Sequence, residues 1–205
     1  MVQEMRTKIK ICGITNLEDA LMVQHLGVDA LGLIFAPSPR RITPDMGRKI
    51  IKGLGPFITT VAVFMDEEYQ EVNRIVEYIQ ADAVQLHGNE PPEYCARIKR
   101  RVIKRISITE DDTPESIKSR CREFDCCFLL FDPGAGSGRV FDWRKLSRVE
   151  QPFILAGGLR PDNIKEAIEL LKPYGVDVCS GVEESPGKKD YHQLTRFIQE
   201  VRRCS

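Results

Sequence analysis

The chain has 205 residues, 42% of them hydrophobic and 29% charged, which suits a soluble globular protein with one sizeable core. Thirty basic and thirty acidic residues cancel, so no net field favours nucleic acid or an anionic membrane as a partner. The apolar runs are far too short to span a bilayer. Met1 to Lys10 lacks the apolar stretch of an export signal, so the cytoplasm is the expected compartment.

In chain order, eight short apolar runs read as strands: Lys8–Ile14, Ala30–Phe35, Thr59–Met65, Ala83–His87, Val102–Ile108, Cys126–Asp132, Pro152–Gly157 and Val176–Ser180. Their near-continuous apolar character suits parallel strands covered on both faces. Amphipathic helices alternate with them. Tyr69, Val72, Val76 and Ile79 form one stripe, Ile164, Ala167, Ile168 and Leu171 a second, and Leu194, Phe197, Ile198 and Val201 the last. Thr15-Asn16-Leu17-Glu18 reads as a capping box with Thr15 as the cap. Thr43-Pro44 and Thr113-Pro114 each place a cap before a helix-opening proline. The sixth helix is compressed into roughly Asp142–Val149. Eight such units predict an α/β fold, a single-domain (β/α)8 TIM barrel over residues 1–205, in which functional groups gather at the carboxyl ends of the strands.

The first strand ends Lys10-Ile11-Cys12-Gly13-Ile14, placing a thiol at that mouth. The sixth ends Phe131-Asp132-Pro133, with Gly134-Ala135-Gly136-Ser137-Gly138 after it. Cys12 and Asp132 would give two groups of different acidity across one mouth, suited to proton transfer. A free thiol titrates near pH ~8.5, so a basic Cys12 needs help from backbone amides or from a neighbour such as Lys10. Strand alternation leaves Lys10's side open. Turnover and alkylation of Cys12 are then expected to rise together with pH. The other six cysteines, Cys95, Cys121, Cys126, Cys127, Cys179 and Cys204, form no C-x-x-C pair and read as reduced, small apolar residues. No metal and no cofactor are expected.

Glycine-bearing loops follow strands seven and eight, Ala156-Gly157-Gly158-Leu159 and Ser180-Gly181-Val182-Glu183, the frequent phosphate site of this fold. Backbone N–H groups there can approach an anion closely. After strand two, Pro39-Arg40-Arg41 offers guanidinium forks that match a carboxylate. After strand four, Gln85-Leu86-His87 adds polar groups to the rim, with His87 a hydrogen-bonding group rather than a metal ligand.

Lys10-Ile11-Cys12-Gly13-Ile14-Thr15, Phe35 through Arg40, Val84-Gln85-Leu86-His87-Gly88, Gly136-Ser137-Gly138 with Phe141-Asp142-Trp143, Ala156-Gly157-Gly158-Leu159, and Ser180-Gly181-Val182-Glu183 with Pro186-Gly187-Lys188-Lys189-Asp190 occur in one order along nearly the whole chain. This set resembles the phosphoribosylanthranilate isomerase family of tryptophan biosynthesis. Arg41, where an aromatic residue is common, and Ala135, where glycine is common, depart from the family pattern.

The resemblance implies an Amadori rearrangement of N-(5-phosphoribosyl)anthranilate to 1-(2-carboxyphenylamino)-1-deoxyribulose 5-phosphate. It implies Asp132 as general acid, Cys12 as general base and Arg40 on the anthranilate carboxylate. Gln85 and His87 would also contact substrate, and Gly157, Gly158, Ser180 and Gly181 would hold the phosphate. The expected partner is a phosphorylated small molecule, and the chain would work as a monomer or homodimer. The alternative is another sugar-phosphate isomerase or epimerase on a phosphate-binding barrel. A metal-dependent epimerase would need paired histidines and carboxylates at strand ends, and His25, His87 and His192 are poorly placed for that.

Overall fold

The computed structural model describes residues 6–124, 127–134 and 140–204. Eight parallel strands, β1 (Lys8–Cys12), β2 (Ala30–Ile34), β3 (Thr59–Phe64), β4 (Ala83–Leu86), β5 (Arg101–Ser107), β6 (Phe128–Asp132), β7 (Phe153–Leu155) and β8 (Gly175–Val178), close in sequence order into a barrel. Pairing of Ile11 with Val178 and of Lys10 with Asp177 joins β8 back to β1. Closure leaves the barrel sheet no edge. Each expected strand is present, most of them a residue or two shorter at the carboxyl end, where the chain turns out into a loop. The expected start of the sixth at Cys126 lies outside the described residues.

Helices α1 (Leu17–His25), α2 (Pro44–Gly53), α3 (Tyr69–Ile79), α4 (Pro92–Cys95), α5 (Pro114–Glu123), α6 (Ile164–Leu171) and α7 (Tyr191–Arg203) follow β1 to β5, β7 and β8. Among the described residues of the sixth unit, the helix is reduced to a 3-10 turn, Trp143–Leu146, capped by Asp142. Thr43 and Thr113 cap α2 and α5 through side-chain acceptance of an N–H, as the sequence predicts. At α1 the expectation fails by one residue. Asn16 is the cap, accepting from Asp19 N at 2.8 Å, while the Thr15 hydroxyl donates to Gly187 O at 2.6 Å. Thr15 is drawn away by a hairpin, β9 (Glu183–Ser185) and β10 (Lys188–Lys189), that follows β8 and reaches the end of the neighbouring β1.

Strand alternation sorts the core into two layers. Ile9, Ile11, Leu31, Leu33, Phe64, Leu86, Phe131, Leu155 and Val178 face outward into one continuous cluster with the helices. Leu130, Ile154 and Ala156 form a much smaller cluster inside the barrel, with Ile103 and Phe128 against it. The inner cluster is small because other inward positions are polar. Lys10, Gln85, Asp132 and Asp177 are buried there, and buried polar groups are tolerated only where partners or a ligand meet them. Among the described residues, no helix is long and apolar enough to cross a membrane.

Candidate active site

Cys12, Arg40, Gln85, His87, Asp132, Gly157, Gly158, Ser180 and Gly181, separated by up to 169 positions between Cys12 and Gly181 in the chain, line one cavity of about 290 Å3 at the carboxyl ends of the strands. Asp177 and Cys179, neither marked by the sequence reading, line it too.

Cys12 ends β1 two residues beyond Lys10, so both side chains point into the barrel, which settles the side on which Lys10 lies. They converge on Gly32 of the adjacent β2. A Cβ at Gly32 would stand 2.7 Å from the Cys12 sulfur and 3.1 Å from Lys10 Nζ, so only glycine leaves room for both. Lys10 also binds Asp177 Oδ2 at 2.7 Å. A hydrogen bond with the Cys179 thiol is the strongest influence drawing the Cys12 thiol down. Burial opposes it, the Lys10 ammonium adds to it, and Cys12 settles at about 7. Its partner Cys179 is pushed up, by this same hydrogen bond and by burial, so Cys12 is the thiol of the pair that ionises first. Burial pulls Lys10 down, but Asp177 and then Cys12 outweigh it, holding the ammonium at about 12 and therefore charged.

Asp132 closes β6. Burial raises its carboxyl group to about 6, against the lowering effects of the Gly134 N–H, which donates to Oδ1 at 2.7 Å, and of Arg105. A thiol near 7 and a carboxyl near 6 facing one cavity can exchange protons with a bound molecule close to neutral pH. His87 is held by its own N–H to Phe64 O at 2.8 Å and by Arg105 donating to its carbonyl at 3.1 Å. Burial, with Arg105 and Lys10 nearby, depresses its imidazole to about 3. His87 is therefore neutral, its Nδ1 3.1 Å from Gln85 Nε2, and serves as a hydrogen-bonding group.

The loops after β7 and β8 form one wall. Gly157 and Gly158 have φ of 87° and 63°, and a Cβ on Gly181 would stand 1.9 Å from Leu159 O. The two loops can touch only because position 181 has no side chain. Among the described residues, the N–H groups of Gly158, Ser180 and Gly181 make no hydrogen bond within the chain, as a cradle for an anion requires. Gly136, Ser137 and Gly138 of the loop after β6 lie outside the described residues.

Arg40, not Arg41, faces the cavity; Arg41 is exposed. Arg40 is itself held by Glu183, with Nε 2.9 and 3.0 Å from the two carboxylate oxygens and Nη2 2.6 Å from Oε2. Lys189 completes the clamp, donating to Glu183 Oε1 at 2.8 Å and to the carbonyl of Cys12 at 2.6 Å. Glu183 and Lys189 belong to the quoted Ser180–Glu183 and Pro186–Asp190 segments, whose spacing around Gly187 is the signal of their hairpin. The sequence offers Lys10 as a helper of Cys12 with its side left open, and it does not mark Asp177 or Cys179. Their signal is alternation, which puts a lysine, an aspartate and a thiol on inward positions of neighbouring strands. The six cysteines within the described residues are free thiols, and of these Cys179 joins Cys12 at the site. Among the described residues, no group of three or more His, Cys, Asp or Glu is arranged to hold a metal ion.

The family model for N-(5'-phosphoribosyl)anthranilate isomerase matches residues 9–200. The N-(5'-phosphoribosyl)anthranilate isomerase of Geobacter metallireducens is 44% identical over 200 residues, covering 95% of this chain and 98% of its own length. A phosphoribosyl anthranilate isomerase solved in complex with reduced 1-(o-carboxyphenylamino)-1-deoxyribulose 5-phosphate superposes with a TM-score of 0.84 at 39% identity, covering 95% of this chain and 98% of that one. Monomers of the dimeric phosphoribosylanthranilate isomerase from Thermotoga maritima superpose with a TM-score of 0.85 at 38% identity, with the same coverage. On its sequence and its fold, this chain belongs to the N-(5'-phosphoribosyl)anthranilate isomerase family.

Proposed function

We propose that this chain catalyses the Amadori rearrangement of N-(5-phosphoribosyl)anthranilate to 1-(2-carboxyphenylamino)-1-deoxyribulose 5-phosphate, the isomerase step of tryptophan biosynthesis. The observation that carries the reading is the convergence of Cys12, near 7, and Asp132, near 6, on one cavity. Asp132 protonates the ribose ring oxygen, and the nitrogen lone pair opens the ring to a protonated Schiff base. The Cys12 thiolate then removes the C2′ proton, giving an enolamine that becomes the ketone. Arg40, oriented by Glu183, binds the anthranilate carboxylate with its remaining N–H groups. Gly157, Gly158, Ser180 and Gly181 cradle the phosphate, and Gln85 and neutral His87 orient the sugar. Incubation of the purified protein with phosphoribosylanthranilate tests this: the substrate's fluorescence decays and the ketose appears. Unchanged fluorescence with folded protein sinks the proposal.

The same reading makes the partner a phosphorylated small molecule and the compartment the reducing cytoplasm, which the free thiols suit. We propose further that the chain forms a homodimer through the amino-terminal end of its barrel. Phe57 is 98% exposed there, beside a mainly apolar cavity of about 720 Å3. Phe57→Glu should give the mass of a single chain by light scattering where the parent gives twice that mass. A parent that is already monomeric overturns the assembly and leaves the chemistry untouched.

A further inference from the structure

Asp177 faces the barrel interior from β8, in register with Lys10. Its Oδ2 is held by Lys10 Nζ at 2.7 Å. Its Oδ1 is buried, belongs to a residue that lines the cavity, and has no hydrogen-bond partner among the described residues. A buried carboxylate oxygen without a donor is costly to keep. Lys10 directs one oxygen away and leaves the other for whatever enters. The molecule proposed to enter bears ribose hydroxyls, and the carbon on which Cys12 acts also holds one of them.

We infer that Asp177 is a further catalytic residue, whose Oδ1 accepts the C2′ hydroxyl of the substrate and takes its proton as the enolamine becomes the ketone. The inference rests on the function proposed above. Cys12 and Asp177 reach C2′ from adjacent strands, one at its hydrogen and the other at its hydroxyl. In the first step the Cys12 thiolate takes the C2′ proton and becomes a thiol. The C–H electrons form the C1′=C2′ bond, and the Schiff-base π electrons return to nitrogen. In the second step the O2′–H bond breaks, the proton passes to Asp177 and C2′=O forms. The C1′=C2′ electrons take the proton from the Cys12 thiol onto C1′, restoring the thiolate. The proton that Asp132 gave to the ring oxygen is replaced by the one now on Asp177, which returns through solvent as the product leaves. Lys10 is a positioning residue in this scheme, and Cys12 and Asp132 are left with the tasks already given to them.

The test is a comparison of the parent protein with Asp177→Asn in deuterated water, stopped at partial conversion. Mass spectrometry then reads deuterium at C2′ of the unreacted substrate against the ketose formed. Asp177→Asn should turn over about 10²-fold more slowly. Its ratio of exchange to product should rise by about tenfold or more, because the enolamine made by an intact Cys12 reverts before it can ketonise. A slower variant with an unchanged ratio would mean that Asp177 supports the site without acting after C2′ deprotonation, and overturns the inference. Turnover within twofold of the parent overturns it as well. Because Asp177→Asn leaves Lys10 buried without its partner, the double variant Lys10→Met with Asp177→Asn guards against misfolding. It should show the same raised ratio in folded protein, and parental turnover in it would refute the role. If the parent itself makes no ketose, the reading that fails is the proposed function.

Discussion

Two sets of buried charges meet at the carboxyl end of this barrel, and they are built differently. At the rim, Glu183 of the hairpin is enclosed by Arg40 and Lys189. Burial alone would raise its carboxyl group, but the hydrogen bonds and charges of Arg40 and Lys189 prevail and hold it below its ordinary value. Inside, among the described residues, Asp132 accepts from the Gly134 N–H and feels the more distant charge of Arg105, and burial prevails, raising it to about 6. The clamp is satisfied and ties the hairpin to the ends of β1 and β8. The interior groups are under-paired and can change protonation state. A buried carboxylate saturated by cations fixes geometry, whereas one left short of donors is available for chemistry.

The largest effects should come from the interior. Cys12→Ser replaces the thiol by a far less acidic hydroxyl, and turnover should fall towards the upper end of about 10²–10⁴-fold. Asp132→Asn should fall within the same range, with substrate binding less affected. Both should shift the melting temperature only slightly, since Asp177 still binds the Lys10 ammonium and an amide oxygen at position 132 can still accept from the Gly134 N–H. Near-parental turnover in either would erase the difference between interior and clamp.

The clamp should answer in stability and binding. Glu183→Gln leaves the fully buried Lys189 ammonium without its carboxylate, costing about 3–5 kcal/mol, which thermal melting would register. It also releases Arg40, so KM should rise more than kcat falls. Arg40→Ala should raise KM by about tenfold or more through loss of a charge-assisted contact, while the exposed Arg41→Ala should stay within about twofold. If the two arginines behave in the opposite order, the carboxylate lies elsewhere.

A subtler effect lies in pH. The mechanism needs Asp132 protonated and Cys12 ionised, yet the acid titrates at about 6 and the thiol at about 7. The thiolate falls away below 7 and the protonated acid above 6, so the two changes offset each other between 6 and 7 and activity declines on either side. The kcat/KM profile should therefore be a bell with its maximum between those values, where only about one molecule in twenty has both groups in the required state. Alkylation of Cys12 reports thiolate alone, so it should rise with a midpoint near 7 and stay high where kcat/KM declines. The expectation from sequence, that rate and alkylation rise together, is replaced by two curves that separate. A shared midpoint would mean that Asp132 stays protonated throughout the thiol's range and titrates well above it.

The sequence by itself determined the eight β–α units, the caps at Thr43 and Thr113, and the strand ends where Cys12, Asp132 and the glycine loops lie. These are local matters, written in period, turn chemistry and the order of elements. It also held the motifs by which the family is recognised. Only the tertiary structure decided that nine separated residues share one cavity, that Arg40 rather than Arg41 faces it, and that Asn16 caps α1 because the hairpin claims Thr15. It alone set Lys10 and Cys179 against Cys12, and left Asp177 Oδ1 without a hydrogen-bond partner among the described residues. The reason is barrel closure. It joins β8 to β1, strands some 160 residues apart in the chain, and burial among those neighbours then sets each group's acidity.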